Sequence, residues 1–161
     1  MFSTKTRNFL LAAIIIVYQA IGYTIGQVTR AGMAGWYDTL TRSALTPPDL
    51  VFAVAWASLY VLLAIVTWRL IFLAPAPYLN QARMIFAIQM LANWGWSFVF
   101  FTAHWLFISF VWIAVLIMMN LGFVWRTWRI DRVSVYCMIP YIAWISFACY
   151  LAGYIWIANP A

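Results

Sequence analysis

Three sets of side chains in this sequence fall at helical spacing and are of types that could hold a ligand. Gln89, Asn93 and Trp96 stand at i, i+4 and i+7, Phe52, Trp56 and Tyr60 recur at four-residue steps, and Tyr141, Trp144, Ala148 and Leu151 follow at i, i+3, i+7 and i+10. Indole and phenol rings with a few amides suit a large, flat, apolar molecule with a polar edge, gripped by stacking and a few hydrogen bonds. The same side chains could equally fill a helical core, the amides gluing helix to helix, and spacing alone does not choose between the two. Hydrolytic chemistry is hard to build. The acids are only Asp38, Asp49 and Asp131, none of them mid-span, His104 is the sole histidine, and neither G-x-S-x-G nor H-E-x-x-H occurs. No zinc or haem-attachment spacing exists, so no metal site and no required cofactor are expected.

The elements that must carry these residues are membrane-spanning. The chain is 68% hydrophobic and 7% charged, far below the roughly one-quarter charge of soluble domains. Its lipid partner is therefore the bilayer. The formal charge of +6 does not read as a nucleic-acid face, because the basic residues flank apolar runs instead of gathering in a patch. Eleven Trp exceed what two interfacial belts need, so some of them should lie inside the bundle. Cys137 and Cys149, about 18 Å apart along one helix, cannot bridge each other and read as packing residues.

Hydropathy divides the chain into one transmembrane domain of five spans, at about 8–28, 48–69, 83–102, 105–125 and 133–157. The basic start and apolar run could suggest a signal peptide, but the run is long enough to span and Ala20-Ile21-Gly22 is a poor cleavage site. Gly22 and Gly26 would allow close helix approach, within the chain or to a second copy. Thr29 to Thr46 reads as a polar loop with no helical period, long enough to fold over the bundle mouth. In it Trp36-Tyr37 would act as interfacial anchors or as part of a lid. Pro47-Pro48 with Asp49 starts the second helix. Met84 to Trp125 lacks any charge and as one helix would measure about 63 Å, so it must turn, at Thr102-Ala103-His104. Asn120 reads as helix glue, and Pro140 sits inside the fifth span.

Seven basic residues, Lys5, Arg7, Arg69, Arg83, Arg126, Arg129 and Arg132, fall on the N-terminal side, and only Arg30 and Arg42 on the other. The positive-inside rule then predicts a cytoplasmic N-terminus and, in a bacterial inner membrane, a periplasmic first loop.

Trp36-Tyr37, Leu40, Arg42, Pro47-Pro48, Val51-Phe52, Trp56 and Leu59-Tyr60 form one motif. Gln89, Asn93 and Trp96 with Phe100-Phe101 form a second, and Pro140-Tyr141 and Trp144 with Leu151 a third. In these three motifs, across nearly its whole length, the chain resembles the bacterial members of the translocator protein family, also called TspO/MBR or tryptophan-rich sensory proteins. The resemblance implies an all-α bundle of five transmembrane helices, commonly a homodimer. Its pocket lies under the first loop and takes porphyrins or haem, other tetrapyrroles, sterols and benzodiazepine-site drugs. Tyr37, Pro47, Trp56, Tyr60, Asn93, Trp96, Trp144 and Ala148 match its pocket positions. Gln89, Tyr141 and Leu151 join them as candidate ligand contacts because they share the inward faces. Trp56 and Trp144 match tryptophans implicated in light-dependent porphyrin breakdown, in which an indole would donate an electron to the excited macrocycle. Sensing, turnover and transport between leaflets all remain open on these residues; the lack of intramembrane charge and of an inverted repeat weighs against transport.

Two departures bear on the pocket. Ser43 replaces a proline usual after the loop's basic residue, which implies a looser lid. Ala152 stands where an asparagine is common, removing a polar contact. No basic residue follows Tyr150 or Tyr154, so a sterol motif at that end is unsupported.

Overall fold

A computed structural model describes residues 3–160. Five long helices, α1 (Thr4–Met33), α2 (Asp49–Phe72), α3 (Leu79–Ser97), α4 (Leu106–Thr127) and α5 (Arg132–Ala158), make up the chain. A short 3-10 turn (Tyr37–Thr39) interrupts the first loop, and a π turn (Phe98–Thr102) extends α3. Each helix, with the π turn counted into the third, is long and apolar enough to cross a membrane. The protein is thus an all-α five-helix membrane bundle with its longest loop between α1 and α2. Packing runs α1 to α2, α2 to α5, α5 to α4, α4 to α3, and α3 back to α1, a closed ring that differs from chain order.

The expected spans fall on the helices, and the differences lie at their ends. α1 begins at Thr4 because the Ser3 hydroxyl accepts from the Thr6 N–H at 3.2 Å and caps the first turn. It also runs on to Met33, so the loop opens five residues later than the polar composition suggests. A 30-residue helix is about 45 Å long, more than the hydrocarbon thickness, and its polar last turns therefore stand outside the core. Near that end Gly32 lies against the Phe101 backbone so closely that a Cβ would strike its carbonyl. Gly22 faces the Tyr60 ring, where a Cβ would sit 2.5 Å from the nearest ring carbon, while Gly26 meets nothing within 4 Å. Gly22 therefore serves packing within the chain.

The ends joined by short connections are held by charge and by special backbone. Arg69 grips Asp131 through two bonds of 2.6 and 2.5 Å, and Ser134 adds a third to the carboxylate at 2.6 Å. Burial would raise the Asp131 carboxyl, but the Arg69 and Ser134 bonds outweigh it and hold the group below the ordinary carboxylate range. Arg83 donates to the Leu70 carbonyl at 2.9 and 2.8 Å and so caps the last turn of α2 from α3. The Trp68 indole N–H reaches the Arg7 carbonyl at 2.8 Å, tying α2 to α1. Among the described residues, two non-glycines take left-handed backbone, Tyr78 (φ 63°) before α3 and His104 (φ 57°) between the π turn and α4, as these abrupt reversals demand.

Candidate ligand site

At the opposite end, the first loop lies over the helix mouth and is strapped down. The Thr41 N–H donates to Asn159 Oδ1 at 2.8 Å, and Asn159 Nδ2 donates back to the Thr41 carbonyl at 3.0 Å, fixing the loop to the end of α5. Ser43, buried, pairs with the Tyr150 hydroxyl at 3.1 Å and accepts from the Leu45 N–H at 3.2 Å. The serine in place of proline thus gains a side-chain tie that works against the backbone freedom expected from it. Trp36 stacks on His104 with centroids 3.8 Å apart and planes at 12°, which clips the loop to the α3–α4 turn.

Tyr37 lies beneath this strap as core, not as an interfacial anchor. It is 8% exposed, its ring is 5.7 Å from Phe101 and 6.4 Å from Phe100, and the Arg42 guanidinium covers it at 4.8 Å. Burial raises its phenol above the ordinary value, outweighing the neighbouring Arg42 cation. Ala152 and Ile155 pack in the same cluster, so the alanine that departs from the family pattern completes an apolar plug under the loop. Pro47 is half-buried and lines a cleft with Arg42, Ser43, Thr46 and Asp49.

Deeper in, the three inward faces meet. Trp56 lies 5.6 Å from Tyr60, and Tyr60 makes an edge contact with Tyr18 at 6.4 Å. Trp144 faces Phe52 at 5.5 Å from across the α2–α5 contact. Tyr141, fully buried, is the polar hinge of the core: its hydroxyl accepts from Asn93 Nδ2 at 2.9 Å and donates to Gln89 Oε1 at 3.1 Å. Gln89 and Asn93 therefore work first as glue between α3 and α5. Trp96 does the same toward α4, its N–H donating to the Ser109 carbonyl at 2.9 Å, while its ring stacks on Phe100 at 5.1 Å and joins the deep core to the plug. Ala148 packs against the deep core and Leu151 is buried.

Four polar atoms in this region keep capacity to spare. Asn93 Oδ1, Gln89 Nε2, Trp144 Nε1 and Thr46 Oγ1 are buried without a hydrogen-bond partner among the described residues. Such atoms cost free energy unless something pairs with them. The site can therefore offer two N–H donors and a carbonyl acceptor among aromatic faces. Among the described residues no group of three or more His, Cys, Asp or Glu is placed to hold a metal ion.

Spacing singled out faces that the structure turns inward but missed residues on other elements. Tyr18, which pairs with Thr67 at 2.6 Å and contacts Trp94 at 5.6 Å, sits on α1 without a polar or aromatic stripe to mark it. Asn159, Tyr150 and the Trp36–His104 stack join residues far apart in the chain, which no periodicity reports.

The fold and site define a class, a five-helix membrane protein with an aromatic interior closed by a strapped first loop. The chain belongs to the TspO/MBR family, whose pattern matches residues 13–157. It is 30% identical over 159 residues to Protein CrtK of Rhodobacter capsulatus, covering 95% of each chain. It is 29% identical to Tryptophan-rich protein TspO of Chlorobaculum tepidum, over 93% of this chain and 96% of that one. A sheep Translocator protein is 27% identical over 86% and 83%.

Proposed function

We propose that this chain is a membrane receptor or sensor that binds porphyrins and related tetrapyrroles, haem included, among the aromatic residues under its first loop. The observation that carries the reading is the coincidence of planar side chains with spare polar atoms. Trp56, Tyr60 and Trp144 supply faces, and Trp144 Nε1, Gln89 Nε2 and Asn93 Oδ1 supply unpaired donors and an acceptor. A macrocycle presents matching faces and ring nitrogens. Sterols and benzodiazepine-site drugs would compete for the same apolar faces. The family resemblance and the charge distribution further support a homodimer in a bacterial inner membrane, N-terminus cytoplasmic and first loop periplasmic.

Binding requires the α2 and α5 aromatic faces to part, with the straps at Ser43 and Asn159 setting how readily the loop lifts. Trp56 and Trp144 are the candidates for any light-driven electron transfer to a bound porphyrin. The test is quenching of tryptophan fluorescence by protoporphyrin IX in the dark, then illumination, with Trp56→Phe and Trp144→Phe beside the unmutated chain. Saturable dark quenching supports binding. Light-driven loss of the porphyrin band that the two variants abolish adds turnover; loss at the rate of free porphyrin restricts the protein to binding. Absence of saturable quenching overturns the assignment and leaves the aromatic faces as core.

A further inference from the structure

An apolar groove of about 550 Å³ runs down the outer face of α4, away from the aromatic interior. Its floor is a ladder of five residues at four-residue steps, Phe110, Ala114, Met118, Gly122 and Arg126, with Ile85 of α3 as the facing wall. The small residues Ala114 and Gly122 open the groove, and the ladder from Phe110 to Arg126 is about 24 Å long. That exceeds one leaflet's share of a hydrocarbon core of roughly 30 Å, so an acyl chain fits along it over its full leaflet depth.

The groove ends on a half-buried cation. Arg126 Nε donates to Gln81 Oε1 and Nη1 to the Gly122 carbonyl, both at 3.3 Å, and neither partner carries charge. Among the described residues the ion pairs are Arg42 with Asp38 and Arg69 with Asp131, and Asp131 is the one acid at this end of the bundle. Asp131 is already saturated by Arg69 and Ser134. A guanidinium so placed favours an anion that can approach from the lipid.

We infer that this face is a binding site for an anionic phospholipid, its phosphate on Arg126 and one acyl chain along the α4 groove. A second copy of the chain is the poorer occupant. A two-fold axis along the membrane normal at this groove would bring two Arg126 guanidinium groups together at the same depth, with no acid beside them. The site is separate from the tetrapyrrole site and stands whether or not that reading holds.

The test is native mass spectrometry of the full chain released from detergent micelles, titrated with phosphatidylglycerol or with phosphatidylcholine of the same acyl chains. Phosphatidylglycerol should be retained about fivefold more tightly, the effect expected of one basic residue on an anionic headgroup. Arg126→Gln should bring the ratio close to one, and Arg126→Lys should restore most of it. Arg132→Gln, which removes another cation at the same end, should leave the ratio unchanged. Gly122→Leu, which fills the groove, should weaken both lipids. Equal retention of the two lipids by the unmutated chain overturns the proposal. So does a loss in Arg132→Gln as large as that in Arg126→Gln, which would mean diffuse charge, or a Met118→Cys cross-link between copies that phosphatidylglycerol fails to suppress.

Discussion

The two ends of this bundle are built from different chemistry. At the end carrying the short connections, Arg69 holds Asp131, which Ser134 of the same helix start also holds, and Arg83 caps α2, all through charged hydrogen bonds; the Trp68 indole adds a neutral tie to the Arg7 carbonyl. At the loop end the ties to the helices are an amide pair between Thr41 and Asn159, a hydroxyl pair between Ser43 and Tyr150, and the Trp36–His104 stack, all neutral; the Arg42 charge stays within the loop, on the exposed Asp38 and over the Tyr37 ring. Charge-assisted bonds are roughly twice as strong as neutral ones, so the first end is the firmer base and, on the proposed function, the second is the part that opens. The proposed tetrapyrrole site lies beneath the weaker set.

The largest break in that contrast should come from Asp131→Asn, which leaves the Arg69 guanidinium short of its counter-charge. Thermal unfolding in detergent should report a loss of about 3 kcal/mol, the low end for a broken buried pair because Arg69 is partly exposed. Porphyrin affinity at the far end should not change. The pH dependence follows from the depressed Asp131 carboxyl. Its contribution is fully present above the unfolded-state value near 4 and is lost as pH falls below 4 through the folded value. The same acid titration of Asp131→Asn should lack that step.

Tyr141→Phe should rank next, since one hydroxyl serves both Gln89 and Asn93. Removing it strands a buried acceptor and a buried donor, for about 2 kcal/mol in the same unfolding assay. Gly22→Ala should cost about 1–2 kcal/mol by pushing the Tyr60 ring, and through it Trp56, whereas Gly26→Ala should be neutral or slightly stabilising. Tryptophan emission would separate the pair, with a shift in Gly22→Ala only. The smallest effects on stability belong to the straps. Ser43→Ala and Asn159→Ala should each cost about 1 kcal/mol or less, yet raise porphyrin dissociation rates measured by stopped-flow fluorescence.

The sequence made the spans, the inward faces and the covering loop legible because each is written in local spacing. Hydropathy marks length, the four-residue steps mark one side of a helix, and Pro47-Pro48 marks a start. Partners across helices are not written that way. Gln89 and Asn93 read as inward amides, but nothing in their spacing says that both meet the hydroxyl of Tyr141. At Ser43 a proline-to-serine change read in isolation speaks only of a freer backbone; the tie from Tyr150, more than a hundred residues on, is invisible in spacing. The ring order of helices is likewise a property of packing, and the role of Asn159 at the end of α5 exists only once the loop lies over it.

Hydrogen exchange of the detergent-purified chain with and without protoporphyrin IX, followed peptide by peptide, tests the central claim most directly. The account predicts slower exchange confined to the loop at 34–48 and to the adjoining ends of α2 and α5, with the Arg69–Asp131 end unchanged. Protection at the Arg69–Asp131 end, or along the outer face of α4 with the loop unaffected, would contradict it and place the tetrapyrrole outside the strapped aromatic site.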